Sequence, residues 1–364
     1  MNREPFITGA LSQRLDAIRL AAALCVLAGH AHQIGLYAGP WPFGIAFQQA
    51  AVIVFFVLSG LVITHSVDTS RSSAASYVAA RVGRIVPVAL AALAFSLAVA
   101  FWAASLGIAP EPVGADPGSI SLARMGLAAV FLIESYGDGL AIDPPYWSLC
   151  YEVWYYALFG AATYLSGGKR IAVLAVIALL AGPNILLLLP AWLAGVWLAR
   201  SPRAQIESRL FAFAFVGLAL EALYFTGMTQ YLLEEPLHRV TWWFLGQSNY
   251  ALGYLVLALF VTLGLIGLRR LVRERGALPA PLARLVKAGA AMSFTLYLFH
   301  WPLLVALKTA GLAPATSTAG FTALIAAICT ACWAISLVTE RRSKPLRLWL
   351  ERALSRPATR PLPA

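Results

Sequence analysis

The sequence predicts an all-α, polytopic membrane helix bundle of about ten transmembrane helices with both termini cytoplasmic. Three observations predict it. Hydrophobic residues fill 60% of the 364 positions, charged residues only 12%, and the mean hydropathy is +0.76. Soluble domains carry about 25% charged residues, and interior volume grows too slowly with chain length to hide this much apolar surface. The apolar residues also arrive in runs of roughly 17–25, the length of a bilayer-crossing helix. Strand-length alternation is absent, which argues against a membrane β-barrel.

The candidate helices cover 15–35, 46–66, 85–106, 146–166, 170–181, 184–199, 209–228, 243–268, 289–310 and 317–339. Segment 122–136 is a further, short apolar stretch, and charge decides its course. If it only dips into the bilayer, and 171–199 crosses twice through a turn at Gly182-Pro183, the basic clusters gather on one side. Those clusters are Arg71 and Arg81, Lys169 and Arg170, Arg200 to Arg209, Arg269 to Lys287, and Arg341 to Arg347. Arg124, Arg239 and Lys308 alone of the 27 basic residues then lie outside. That asymmetry is the positive-inside pattern. The same distribution accounts for the net charge of +11 without nucleic acid. The shortest candidate, 170–181, spans only about 18 Å and must be extended or partly buried.

The first apolar run holds Arg19 and His30 and lacks a small-residue cleavage site, so it reads as a retained helix rather than a signal peptide. Residues 1–345 read as one membrane domain. Residues 346–364 read as a basic, proline-containing cytoplasmic tail, expected to fray. The four cysteines all sit in apolar runs. Cys329 and Cys332 lack partners at metal spacing and read as packing residues, so no metal is expected.

Ionisable residues within membrane helices cost about 2.5–3.5 kcal/mol on insertion scales and ask for a reason. Arg19 and His30, eleven residues apart in LDAIRLAAALCVLAGH, share one helix face about 16 Å apart. Read singly, Arg19 is an inner-leaflet anchor and His30 a core histidine. Arg81 and Arg84 share a face in RVGRIVP, where Pro87 suits a first turn. With Arg19 they would form a cationic mouth suited to phosphates. In PYWSLCYEVWYY, Glu152 lies one turn from Ser148 on the same face. A lone buried acid in that aromatic setting pairs with a base or stays protonated. In SFTLYLFHWPLL, His300 follows Tyr297 by one turn and precedes a Trp-Pro kink. His65 and His238 read as incidental, and Glu221 as a packing hydrogen bond. Ser59 in FFVLSG is a conceivable nucleophile, but Ser-Gly in a membrane helix is more often a packing notch.

Taken in order, LDAIRLAAALCVLAGH, FFVLSGLVIT, RVGRIVP, WSLCYEVWYY and SFTLYLFHWPL resemble the acyltransferase-3 family. These membrane O-acyltransferases modify O-antigen, exopolysaccharides, Nod factors, peptidoglycan and some macrolides. The motifs span residues 15 to 340, and nothing resembles the SGNH hydrolase-like domain that some members carry. The resemblance implies an inner-membrane enzyme with acyl-CoA, by family default acetyl-CoA, as donor from the cytoplasm. The acceptor it implies is a hydroxyl of a carbohydrate or glycoconjugate.

Arg19 and His30 fall on the family's arginine–histidine pair, Arg81 and Arg84 on its R-x-x-R pair, and Glu152 on the glutamate of W-S-L-x-x-E. His300 falls on the ninth-helix histidine. The family's glutamate near a proline at the last helix end appears here as ERRSKP, which leaves Glu340 without a clear counterpart. The catalytic set expected is therefore His30 as base, Glu152 orienting it, and Arg19. Arg19, Arg81 and Arg84 would hold the CoA phosphates, and Trp147, Ser148, Tyr297 and His300 would meet substrate. Tyr297 is also a candidate to steady the oxyanion. The acidic, aromatic stretch 107–145 would meet the acceptor, and membrane lipid would surround the whole. Two rival readings are a secondary transporter, disfavoured by the absence of paired repeats, and a non-catalytic partner of an export machine.

Overall fold

Helix starts follow from capping side chains. Thr8 accepts the backbone N–H of Leu11 and begins α1 (Gly9–Gln33). Helix α2 runs Ala46–Ser70, and Ser73 caps α3 (Ala74–Ser105) by accepting from Ser76. An oxygen at the N-cap satisfies a donor that the first turn leaves unpaired. This computed structural model describes residues 5–43, 46–108, 121–136, 139–205, 208–221, 245–340 and 343–355. The third helix thus starts earlier than the apolar run at 85, and Pro87 lies in its interior rather than its first turn. Hydropathy reads only the apolar part of a helix; the serine cap sets where it begins.

Two short helices follow, α4 (Leu122–Ala129) and α5 (Ile133–Tyr136), then α6 (Trp147–Tyr164). Neither α4 nor α5 is long enough to cross a bilayer. Phe131 between them takes a left-handed φ of 61°. The pair is pinned to α6: Tyr146 donates to the Ala128 carbonyl (3.1 Å) and Trp154 to that of Phe131 (3.0 Å).

Helix α7 (Gly167–Leu187) kinks at Gly182, whose φ of 82° is left-handed, and α8 follows at Leu189–Arg200. The turn expected at Gly182-Pro183 is where two helical segments meet, since Gly182 alone within 167–187 leaves helical φ/ψ, and the backbone stays helical through Leu188 into α8. A kink frees carbonyls that must find donors inside a membrane. Three do so: Ser135 donates to Ala181 O (2.7 Å), Ser248 to Asn184 O (2.6 Å) and Tyr155 to Ile185 O (2.8 Å).

The span expected at 209–228 begins as a 3-10 turn at Arg209–Phe213 and continues as α9 (Ala214–Leu220). Residues 222–228 of it lie outside the described residues, as do Arg239 and His238. Helices α10 (Ala251–Arg275), α11 (Ala280–Thr309) and α12 (Thr318–Thr339) complete the bundle. Among the described residues there is no β-strand, only an isolated bridge between Tyr37 and Ala315.

The expected frayed tail is a helix at its start. Helix α13 (Ser343–Ser355) packs along α3, with the Arg347 backbone against Gly83. Its basic and proline residues hid an amphipathic repeat. Phe6, whose carbonyl accepts from Arg269, and α13 lie at the same end of the bundle as Arg19, Arg81 and Arg84.

Six helices among the described residues are long and apolar enough to cross a membrane, against the ten crossings expected. The 25-residue α1 and 18-residue α6 fall outside that set. Both carry the polar site residues, whose presence lowers their hydropathy. The protein is a helical, multi-pass membrane bundle.

Candidate active site

Helices α1, α2, α3, α6 and α11 surround a cavity of about 100 Å³ that opens to solvent. Arg19, Arg81 and Arg84 line one end of it, and Tyr297 and Ser148 line the other. Arg84 is exposed, so the basic end is the mouth. The helical period brings this about. Ser148, Glu152 and Tyr156 are spaced by four on α6, so one face presents all three to the cavity.

At the mouth Arg19 lies 3.7 Å from Asp16, one turn earlier on α1. It also lines a second cavity of about 260 Å³ shared with Asp16 and His65. The Arg81 guanidinium lies over the Tyr156 ring at 5.9 Å, and Arg84 over Phe294 at 5.8 Å. The Nε of Arg81 is buried with no hydrogen-bond partner. A buried cationic donor without an acceptor is costly unless a ligand supplies one.

Midway, a directional chain of hydrogen bonds links α8, α2 and α6. The Trp192 indole N–H donates to Ser59 Oγ at 3.2 Å, and Ser59 lies 2.9 Å from the Tyr156 hydroxyl. Tyr156 donates to Glu152, which fixes Ser59 as donor to Tyr156. Glu152 was expected to orient His30; its partner is instead Tyr156, one turn along the same helix. Glu152 shares the cavity with Arg19 of α1, and among the described residues no hydrogen bond joins it to His30.

At the inner end the Tyr297 hydroxyl donates to the Pro145 carbonyl at 3.0 Å. Its single proton is thereby committed, so Ser148, 2.6 Å away, is the donor to it. Tyr297 therefore offers no free N–H or O–H to an oxyanion in this arrangement. Trp147 packs edge-on against Tyr151, with ring centroids 5.1 Å apart, and does not line the cavity.

Beyond Tyr297, whose ring centroid is 5.9 Å from that of His300, lies the histidine pair. His30 Nδ1 is 2.7 Å from His300 Nε2. His300 is 1% exposed, and its Nδ1 lies 3.1 Å from the Leu296 carbonyl. The Trp301 ring stands edge-on to His30, with centroids 5.2 Å apart. The structure thus brings His30 and His300 together across α1 and α11, and Glu152 with Tyr156 and Ser59. Tyr156 was the residue missed in the sequence, although its four-residue spacing from Glu152 was the available signal.

Glu340 acquires a partner that its sequence context had not suggested. Its Oε1 accepts both the backbone N–H (3.1 Å) and the hydroxyl (2.5 Å) of Thr295. Glu221 is 7% exposed. The cysteines are free thiols, with Cys332 buried. Among the described residues, no group of three or more His, Cys, Asp or Glu side chains is placed to hold a metal.

No curated protein sequence and no solved structure matches the chain. A family model described as an acyltransferase domain matches residues 12–337, nearly the whole bundle built around this cavity. The chain belongs to the acyltransferase-3 family.

Proposed function

We propose that the protein transfers an acyl group, acetyl by default, from cytoplasmic acyl-CoA to a hydroxyl of a carbohydrate or glycoconjugate at the cell's inner membrane. The observation that carries this reading is one elongated arrangement. Three arginines ring the mouth of the cavity, and a histidine pair lies just past its inner end. CoA is a polyanion joined to its thioester by a long flexible arm. A basic mouth opening on a cavity between the helices suits that shape, and the unpartnered Arg81 Nε suits a phosphate oxygen.

A sugar hydroxyl is a weak nucleophile and needs a base within hydrogen-bond reach. In the proposed step His30 removes the hydroxyl proton as the oxygen attacks the thioester carbonyl carbon. The carbon–sulfur bond then breaks, and the CoA thiolate leaves with the proton returned by His30. The O–H and C–S bonds broken are balanced by the C–O bond of the ester and the S–H bond of the free thiol. Arg19, Arg81 and Arg84 bind the donor phosphates. Ser148 and Tyr297 wall the passage between cavity and histidines.

The test is incubation of the purified protein with radiolabelled acetyl-CoA, following CoA release and label transfer, with His30→Ala as the control. Release that depends on His30 supports the reading. Intact donor binding without turnover points to a required acceptor or a different acyl chain. No binding of acyl-CoA overturns it and favours a transporter.

A further inference from the structure

The 2.7 Å contact between His30 and His300 has a direction that the surroundings determine. The two rings are nearly coplanar, at 7°, with centroids 5.0 Å apart. With the nitrogens that close, such a centroid separation places the N···N axis along both ring planes. This is the geometry of an in-plane N–H···N hydrogen bond rather than of face-to-face rings.

Which nitrogen carries the proton follows from the far side of His300. Its Nδ1 faces the Leu296 carbonyl at 3.1 Å, and a carbonyl only accepts. His300 Nδ1 is therefore the N–H, and in the neutral ring Nε2 is a bare lone pair. That lone pair faces His30 Nδ1, so His30 Nδ1 is the donor. The remaining nitrogen, His30 Nε2, is left unprotonated, and no hydrogen-bond partner occupies it among the described residues. A base must present such a lone pair.

We propose that His300 is a positioning residue for the base His30: it fixes the Nδ1–H tautomer and takes up charge when Nε2 is protonated. This rests on the acyl-transfer reading above for its chemical consequence, but the tautomer itself does not. The role is the one a buried carboxylate plays behind a catalytic histidine, filled here by a neutral imidazole. When His30 Nε2 gains a proton, its Nδ1–H strengthens its bond to His300 Nε2. The Leu296 carbonyl supports the far end of the chain. The backbone that anchors the relay belongs to the same helix as His300, so α11 sets the ring's orientation with no further side chain. Glu152, committed to Tyr156, is not needed for it.

The chain has five histidines. A background with His32→Asn, His65→Asn and His238→Asn leaves only the pair for solid-state NMR of ring-15N-labelled protein in lipid. The spectrum expected shows His30 protonated at Nδ1 and bare at Nε2. His300→Leu removes the acceptor, and the His30 signal then shifts toward a mixture of tautomers. His300→Gln offers an amide oxygen in place of Nε2 and keeps the Nδ1–H form.

In the acetyl-CoA assay, His300→Leu lowers kcat about 100-fold, within the range that general-base catalysis contributes, with donor KM little changed. His300→Gln recovers most of that loss. A His30 ring protonated at Nε2 in the parent protein overturns the proposal. So does a His300→Leu enzyme as active as the parent, or a Gln variant as inactive as the Leu variant, which would make His300 itself a reacting group. If the parent does not turn over acyl-CoA, the acyl-transfer reading falls while the NMR result still decides the tautomer.

Discussion

The hydroxyl of Ser59 lies 2.9 Å from that of Tyr156 and donates to it, because Tyr156 spends its own proton on Glu152. The serine's proton therefore points at a phenol oxygen, with the Glu152 carboxylate one hydrogen bond further on. Yet Ser59 also accepts the Trp192 N–H, at 3.2 Å, and these two partners tie it, on α2, to α6 and α8. A serine tied on both sides is first a joint between helices.

Ser59→Ala is therefore expected to keep turnover within severalfold and to cost about 1 kcal/mol of stability, one net hydrogen bond. Tyr156→Phe should cost more, about 1–3 kcal/mol, because it strips the part-buried Glu152 carboxyl of its hydroxyl partner. Thermal unfolding in detergent ranks the two. Mass spectrometry of the peptide containing Ser59 after exposure to acetyl-CoA checks the chemistry; an acyl group on Ser59 would make it a nucleophile after all.

The two arginines of R-x-x-R differ in surroundings, and their variants should differ accordingly. Arg81 is part-buried with an unpartnered Nε, whereas Arg84 is exposed. A desolvated charge facing a phosphate is worth more than a solvated one. Arg81→Gln is expected to raise the donor KM about 10–100-fold, and Arg84→Gln by less than about tenfold. The Arg84 effect should also fade with added salt, since exposed charges are screened. Donor titrations at two ionic strengths measure both. Equal effects at the two positions would show that burial does not set their contributions.

How much of this was legible in the sequence depended on how far apart the partners lie. Arg19 and His30 were readable as one face of α1, because the helical period fixes their relation whatever the helix touches. The pairing of His30 with His300 was not, since it depends on α1 packing against α11, 270 residues away. Triad chemistry alone names a carboxylate, here Glu152, as the partner of a base histidine. The phenol that satisfies Glu152 sat four residues on, read as one of several aromatics rather than as a donor. At the C-terminus, prolines and arginines masked the apolar repeat of α13. Its docking onto Gly83 is a tertiary contact that composition does not encode.

Helices α2 and α8 approach to backbone contact, and glycines on both sides permit it. A Cβ on Gly195 would sit 2.0 Å from the Val57 carbonyl oxygen, and one on Gly60 would sit 2.1 Å from that of Trp192. Both obstacles are backbone, which cannot rotate away. Small residues at such crossings are what allow membrane helices to pack. Gly195→Ala is expected to force α8 off α2 and to cost about 1–3 kcal/mol. Because Trp192 and Ser59 sit at this crossing, donor binding should weaken with it. Gly168→Ala, in open space at the start of α7, is the matched control and should leave the unfolding temperature unchanged.

Glu340 and Thr295 tie the end of α12 to the middle of α11. Thr295 is fully buried, and both its backbone N–H and its hydroxyl donate to the same carboxylate oxygen. Two residues on is Tyr297, and five on is His300, so this tie holds the stretch of α11 that positions the inner end of the site. Glu340→Ala leaves the Thr295 hydroxyl buried without its acceptor, at a cost of about 1–3 kcal/mol. The loosened segment should also lower kcat more than it raises the donor KM, because the arginine mouth lies on α1 and α3. Glu340→Gln keeps an acceptor oxygen and is expected to restore most of both losses. The measurement is paired thermal unfolding and steady-state kinetics on the two variants. A Glu340→Ala protein with normal stability and lowered kcat would instead mean that the carboxylate charge, rather than the tie, acts on the site.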